Sequence, residues 1–128
     1  MTPDVFRHYR TGVGILDTQH AELFDIINTI SVALASGDNA RYIESLDILE
    51  EKFLAHITFE ESLMDVSKYP NKNIHELHHR EDVSQILTHL RCAKAQHIAA
   101  DISRIEVMLL MHIDNEDIAF GKFLRNVE

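Results

Sequence analysis

Histidine is the residue type that sets this chain apart. It occupies nine of 128 positions, several times the number expected by chance. Imidazole is the commonest metal ligand in proteins, so the spacing of these residues matters. His20 stands at helical spacing from Leu23, Phe24 and Ile27. His56 follows Phe53 by three residues and precedes Glu60 by four. His75 and His79 are four apart, on a line continued by Val83 and Ile86. Ile105, Leu109 and His112 form a further such line. Side chains three or four residues apart share one helix face. Each line therefore carries imidazole on an apolar, inward face. The second and fourth lines are also candidates to add a carboxylate.

A single inward histidine is most often a core residue hydrogen-bonded to a neighbour. Five on facing helices are a different matter. A buried polar group without a partner costs a few kcal/mol, and a domain of this size has a total stability of only ~5–15 kcal/mol. Something must bind the set, and a metal does. One zinc ion takes about four ligands, so five imidazoles and two carboxylates are too many for it. Calcium and magnesium prefer oxygen. Two first-row metals sharing bridging carboxylates fit. Three histidines on one metal and two on the other, with a shared solvent oxygen, saturate the first and leave one vacancy on the second. That arrangement suits a single small ligand bound end-on. Iron matches such nitrogen-rich octahedral sites.

The elements that must position these residues read as four long helices. The first spans about 17–35, with Leu23, Phe24, Ile27, Ile30 and Leu34 inward, and stops at Ser36-Gly37-Asp38-Asn39. Glycine there is a C-terminal stop signal. The second spans about 40–67, with Leu46, Leu49, Phe53, Ile57 and Leu63 inward, and is followed by the breaker Tyr69-Pro70-Asn71. The third spans about 71–92, with Val83, Ile86 and Leu90 inward. The fourth spans about 96–120, with Ile98, Ile102, Ile105 and Leu109 inward. Short connections make neighbours antiparallel. The expected fold is all-α: an antiparallel up-down-up-down four-helix bundle in one domain, 1–128, with an extended N-terminal arm over 1–16.

Composition narrows the function classes. An apolar fraction of 45% and a charged fraction of 26% are those of a globular protein. Four glycines and two prolines are too few for a β-sandwich or barrel. With 12 basic against 21 acidic residues the net charge is −9, which argues against nucleic acid and against anionic membranes as partners. A lone cysteine, Cys92, forms no internal disulfide. No apolar run approaches the ~20 residues of a membrane span, and the N-terminus lacks a signal-peptide core. A cytoplasmic protein is the expectation. His8 lies in the N-terminal arm, His78 sits about 100° around the helix from His79, and His89 and His97 fall off the apolar stripes; all four read as surface residues or supports of the ligands. Glu61 reads as a solvated carboxylate, and Cys92 as a spare thiol. Met64, Met108 and Met111 read as core filler, the latter two close enough to His112 to form pocket wall.

The ordered motifs are Tyr9-x-Thr-Gly-Val-x-x-Leu-Asp-x-Gln-His20, Leu23-Phe24, Asn28, His56-x-x-x-Glu60-Glu61-x-Leu-Met64, Tyr69-Pro70, His75-x-x-x-His79 and His112-Ile-x-x-x-Asp117. Together they resemble the hemerythrin family, in its bacterial single-domain branch, the bacteriohemerythrins. The resemblance runs from Tyr9 to Asp117. It implies two iron ions with a bridging oxo or hydroxo group. His75, His79 and His112 would hold the saturated iron, His20 and His56 the open one, and Glu60 and Asp117 would bridge. It also implies reversible O2 binding for storage or delivery rather than enzymatic turnover. Its alternatives are an O2- or redox-sensing module that signals to a protein partner, and a di-iron protein that reacts with peroxide or nitric oxide. A ferritin-like oxidase would want two Glu-x-x-His motifs. Only Glu76-x-x-His79 matches strictly, and Glu76 lies off the inward face. The family often carries tryptophan where Met108 stands, and this chain has none. Asp117 lies five residues after His112, about 140° around an ideal α-helix. Both reach one site only where the helix distorts or where the two approach from its flanks.

Overall fold

The computed structural model of the protein describes residues 9–92 and 98–126. The expectations for His8 and His97, and for the side chains of His89, Leu90, Cys92 and Ile98, lie outside the described residues.

Helix α1 spans Gly14–Ser36 and begins before the expected Asp17. The reason is a local tie. Asp17, in the first turn, accepts from both the backbone N–H and the hydroxyl of Thr11, each at 2.8 Å. The Val13 N–H in turn donates to the Thr11 hydroxyl at 3.1 Å. Asp17 thus pins the preceding chain to the helix, and the arm expected over 1–16 ends at Val13. Gly37 stops α1 in the left-handed region, φ 72°, where a side chain would be strained. Asp38 then caps α2, Asn39–Ser67, by accepting the Arg41 N–H at 3.1 Å. Lys68 ends α2, also left-handed. Beyond Tyr69-Pro70, α3 runs Lys72–Cys92.

The fourth rod, expected as one helix over 96–120, is not uniform. Helix α4, Ile98–His112, passes through a π-helical turn, Ile113–Asp117, into α5, Ile118–Arg125. The Ile118 N–H bonds to the Ile113 carbonyl, five residues back instead of four.

Each helix packs on its sequence neighbour, and α1 meets α4. The ring closes as an antiparallel four-helix bundle, and the chain is all-α. Among the described residues no helix is long and apolar enough to cross a membrane. Two apolar clusters fill the bundle. The larger includes Leu23, Ile27, Ile30, Leu49, Phe53, Ile86, Ile105 and Ile113. The smaller joins Leu16, Met64, Tyr69 and Phe120. In chain order, His20 falls between Leu16 and Leu23, Glu60 between Ile57 and Met64, and Asp117 between Ile113 and Phe120. The polar residues therefore form a layer separating the two clusters. The Thr11 segment lies directly on α5. A Cβ at Gly121 would sit 2.3 Å from the Thr11 carbonyl oxygen, so only glycine fits there.

Candidate metal centre

All seven residues singled out as candidate ligands converge in this layer. His20 comes from α1, His56 and Glu60 from α2, His75 and His79 from α3, His112 from α4 and Asp117 from the π turn. Six of them are buried by 95% or more, and the His112 side chain is 8% exposed.

The carboxylates organise the layer. Glu60 Oε2 lies 3.2 Å from His56 Nε2, while its Oε1 lies 2.7 Å from His75 Nε2 and 3.3 Å from His79 Nε2. Asp117 divides in the same way. Its Oδ2 is 3.0 Å from His20 Nε2, and its Oδ1 is 2.8 Å from His75 Nε2 and 3.1 Å from His112 Nε2. Two groups of donor atoms result. One holds His75, His79 and His112, the other His20 and His56, and both include Glu60 and Asp117. Within each group the donor atoms lie within 4.8 Å of one another.

These approaches are short, yet none has the geometry of a hydrogen bond. Both nitrogens of His20, His79 and His112, Nε2 of His75 and all oxygens of Glu60 and Asp117 are buried without a hydrogen-bond partner. Unpartnered buried polar atoms are costly, and so many in one layer define a cluster able to hold a metal. Nitrogen and oxygen donors in this mixture suit first-row transition metals.

Burial alone would raise the pKa of Glu60, and nearby Asp117 would raise it further. His56, His75 and His79 overcome both and hold it at about 2. Burial would likewise raise Asp117, but His112, His20 and His75 keep it well below the ordinary carboxylate value. Burial lowers the pKa of His75, but Asp117 and Glu60 lift it to about 9. His112 is lowered by burial and lifted by Asp117, Asp82 and Glu116 to about 12. Without a cation, the layer thus balances its carboxylate charge with protons on imidazole.

The π turn resolves the angular mismatch of His112 and Asp117. Widening the turn by one residue reduces the angle between positions five apart, so both face the layer.

Three contributors went unnoticed in the sequence. The Gln19 amide oxygen accepts from His56 Nδ1 at 2.6 Å, which leaves the His56 Nε2 lone pair toward Glu60. Glu116 and Asp82 stand at 2.7 and 3.2 Å from His112 Nδ1. The i,i+4 spacing of His112 and Glu116 was a usable signal, whereas Asp82 reaches His112 only because α3 packs on α4. Glu61, expected as a solvated carboxylate, is partly buried with Oε2 3.7 Å from His79 Nδ1. Met64 is fully buried. Met108 lies against the apolar core beside His79 and His112. Met111 is 56% exposed, so it is not core filler, and it lines an outer cleft together with His112.

The chain matches the model of the hemerythrin HHE cation binding domain over residues 11–123. A bacteriohemerythrin of Pseudomonas paraeruginosa (strain DSM 24068 / PA7) is 29% identical over 122 residues, covering 91% of this chain and 77% of its own. One from Stenotrophomonas maltophilia (strain R551-3) is 26% identical over 112 residues, covering 86% and 73%. One from Methylococcus capsulatus (strain ATCC 33009 / NCIMB 11132 / Bath) is 30% identical over 71 residues, covering 56% and 54%. No solved structure matches the chain significantly. With the family model covering most of its length, including every residue of the polar layer, the chain belongs to the hemerythrin family.

Proposed function

We propose that the layer holds two iron ions and binds O2 reversibly, for storage or delivery, without turning over a substrate. The observation that carries this reading is the division of each carboxylate, one oxygen toward the two-histidine group and the other toward the three-histidine group. Such a division is what two metals bridged by Glu60 and Asp117 require, and one metal gives no reason for it. His75, His79 and His112 would complete one position, and His20 and His56 the other. When bound, a ferrous pair would supply the two electrons that O2 takes up on binding and gives back on release.

The protein's own contribution is shape and dryness. Counting side chains, the three-histidine group offers five donors and the two-histidine group four, so the small ligand belongs at the His20 and His56 side. A cleft of about 210 Å³, lined by Tyr9, Arg10, Asp17 and Thr18, reaches His20 from outside. Buried Leu23, Ile27 and Leu109 keep water and protons from the layer, which favours release of O2 unchanged. Non-productive oxidation needs both.

The test is an optical spectrum of the iron-loaded chain, reduced under argon, exposed to air and returned to argon. Charge-transfer bands that appear in air and vanish under argon support reversible binding. A spectrum that settles irreversibly into its oxidised form on first exposure overturns the carrier reading. Fewer than two irons per chain overturns the ligand assignment.

A further inference from the structure

The two donor groups differ in what stands behind them. On the three-histidine side, the outer edge of His112 faces carboxylates. Its Nδ1 lies 2.7 Å from Glu116 Oε2 and 3.2 Å from Asp82 Oδ2. The other Glu116 oxygen is held by His78 Nδ1, which fixes the carboxylate in place. Behind His79 stands Glu61, at 3.7 Å. On the two-histidine side no carboxylate stands at an outer imidazole nitrogen among the described residues. His56 Nδ1 meets the neutral amide of Gln19, whereas carboxylates stand at His112 Nδ1 and His79 Nδ1.

An anion at the outer nitrogen of a ligating imidazole orients the ring and strengthens its donor nitrogen. The added negative charge also favours a cation on the far side, more so in a dry interior. We propose that Asp82 and Glu116 are positioning residues that, acting through His112, make the three-histidine position the tighter of the two metal positions. The inference rests on the two-metal reading above and adds an order of filling. The first divalent ion goes to His75, His79 and His112, and the second to His20 and His56.

The test is a titration of the metal-free chain with Co2+ under argon at fixed pH, followed by visible absorption and calorimetry. The native chain is expected to fill in two resolved steps. His56→Ala, which strips the two-histidine position, should retain only the first. Asp82→Asn with Glu116→Gln should weaken the first step by roughly 10–100-fold and leave the second where it was. Gln19→Glu should tighten the second step alone. Glu76→Gln, the single-charge counterpart of Asp82→Asn, removes one unit of charge from a pair with Lys72 and should move neither. A first step unchanged in the Asp82/Glu116 double variant overturns the inference, as does equal weakening of both steps. Helicity of the metal-free variants, compared with the native chain, separates misfolding from lost affinity, and Asp82→Asn alone provides a milder variant if the double one unfolds. A native chain that takes up a single Co2+ fails the two-metal reading itself. A native chain with two steps and an unresponsive double variant fails only the role of Asp82 and Glu116.

Discussion

Leu49, Ile30 and Ile105 in the larger apolar cluster, and Glu60, Asp117 and His20 in the polar layer, are all 2% exposed or less. Equal dryness has opposite consequences for them. The aliphatic residues are stabilised by leaving water, at roughly 25 cal/mol per Å² of apolar surface, and need nothing else. The polar residues lose hydration and find no hydrogen bonds in return. One region is therefore self-sufficient, and the other is stabilised only by what it binds. The comparison teaches that the bundle's shape is carried by the apolar cluster, and that the layer is held in a costly arrangement by that shape.

The largest way to sharpen this contrast is metal removal. Two ions, each about 1,000-fold above its dissociation constant, add roughly 8 kcal/mol to the loaded form. Denaturant titrations of loaded and stripped protein should differ by about that much. Identical curves would mean that the layer is content without metal. Next in size is Glu60→Gln, which should cost the loaded protein about 3–5 kcal/mol by breaking a buried charge cluster. Glu61→Gln, with a carboxylate 29% exposed, should cost under about 1 kcal/mol. Equal losses of bound iron would assign the bridge to the wrong carboxylate. Leu49→Ala should cost about 2–5 kcal/mol, and by the same amount in loaded and stripped protein. A cost that depends on metal would show the two regions to be energetically coupled.

A smaller effect separates the regions by pH. In the stripped chain, His75 holds its proton to about 9 against 6.5 when unfolded. The folded state then binds more protons, so stability is full below 6.5 and falls as pH rises through 9. His112, raised to about 12, extends the same decline. Glu60, lowered from 4.5 to about 2, adds stability that is lost as pH falls through that interval. Denaturation midpoints of stripped protein should therefore be highest between 4.5 and 6.5. Loading should flatten the alkaline decline, because bound ligands carry no proton to lose. The smallest effect is expected of His78→Ala. Its side chain is 44% exposed, so iron content should persist, and losing its hold on Glu116 should cost under about 1 kcal/mol. A loss as large as that of His79→Ala would put the wrong face of α3 toward the layer.

What could be read from the sequence follows the same divide. Residues placed by local periodicity were legible. His20, His56, Glu60, His75 and His79 each share a stripe with core residues, because spacings of three and four define a helix face whatever packs against it. The four rods and the breaks at Gly37 and Tyr69-Pro70 were legible for the same local reason. Contributors placed by tertiary approach were not. Asp82 reaches His112 from a neighbouring helix. Gln19, adjacent to His20 in sequence, serves His56 on α2. Helix α1 starts before the expected residue 17 because the Asp17 carboxylate is engaged by Thr11, a tie that periodicity does not show. The convergence of Asp117 with His112 needs a π turn, which Ile113–Asp117 does not announce by any breaker residue.

That turn amounts to one surplus residue in the fourth rod, and its effect continues past Asp117. Every side chain downstream is rotated by the surplus, Phe120 and Gly121 included. Phe120 fills the smaller apolar cluster, and Gly121 receives the Thr11 segment at a distance no side chain tolerates. Deleting one residue between 113 and 117 would restore a regular helix and turn this end of the rod by about 100°. The carboxylate would swing out of the layer, and in the same motion the glycine would swing away from the N-terminal segment. The polar layer and the anchorage of the Thr11 segment are thus locked to a single helical phase, and neither can be retuned without the other.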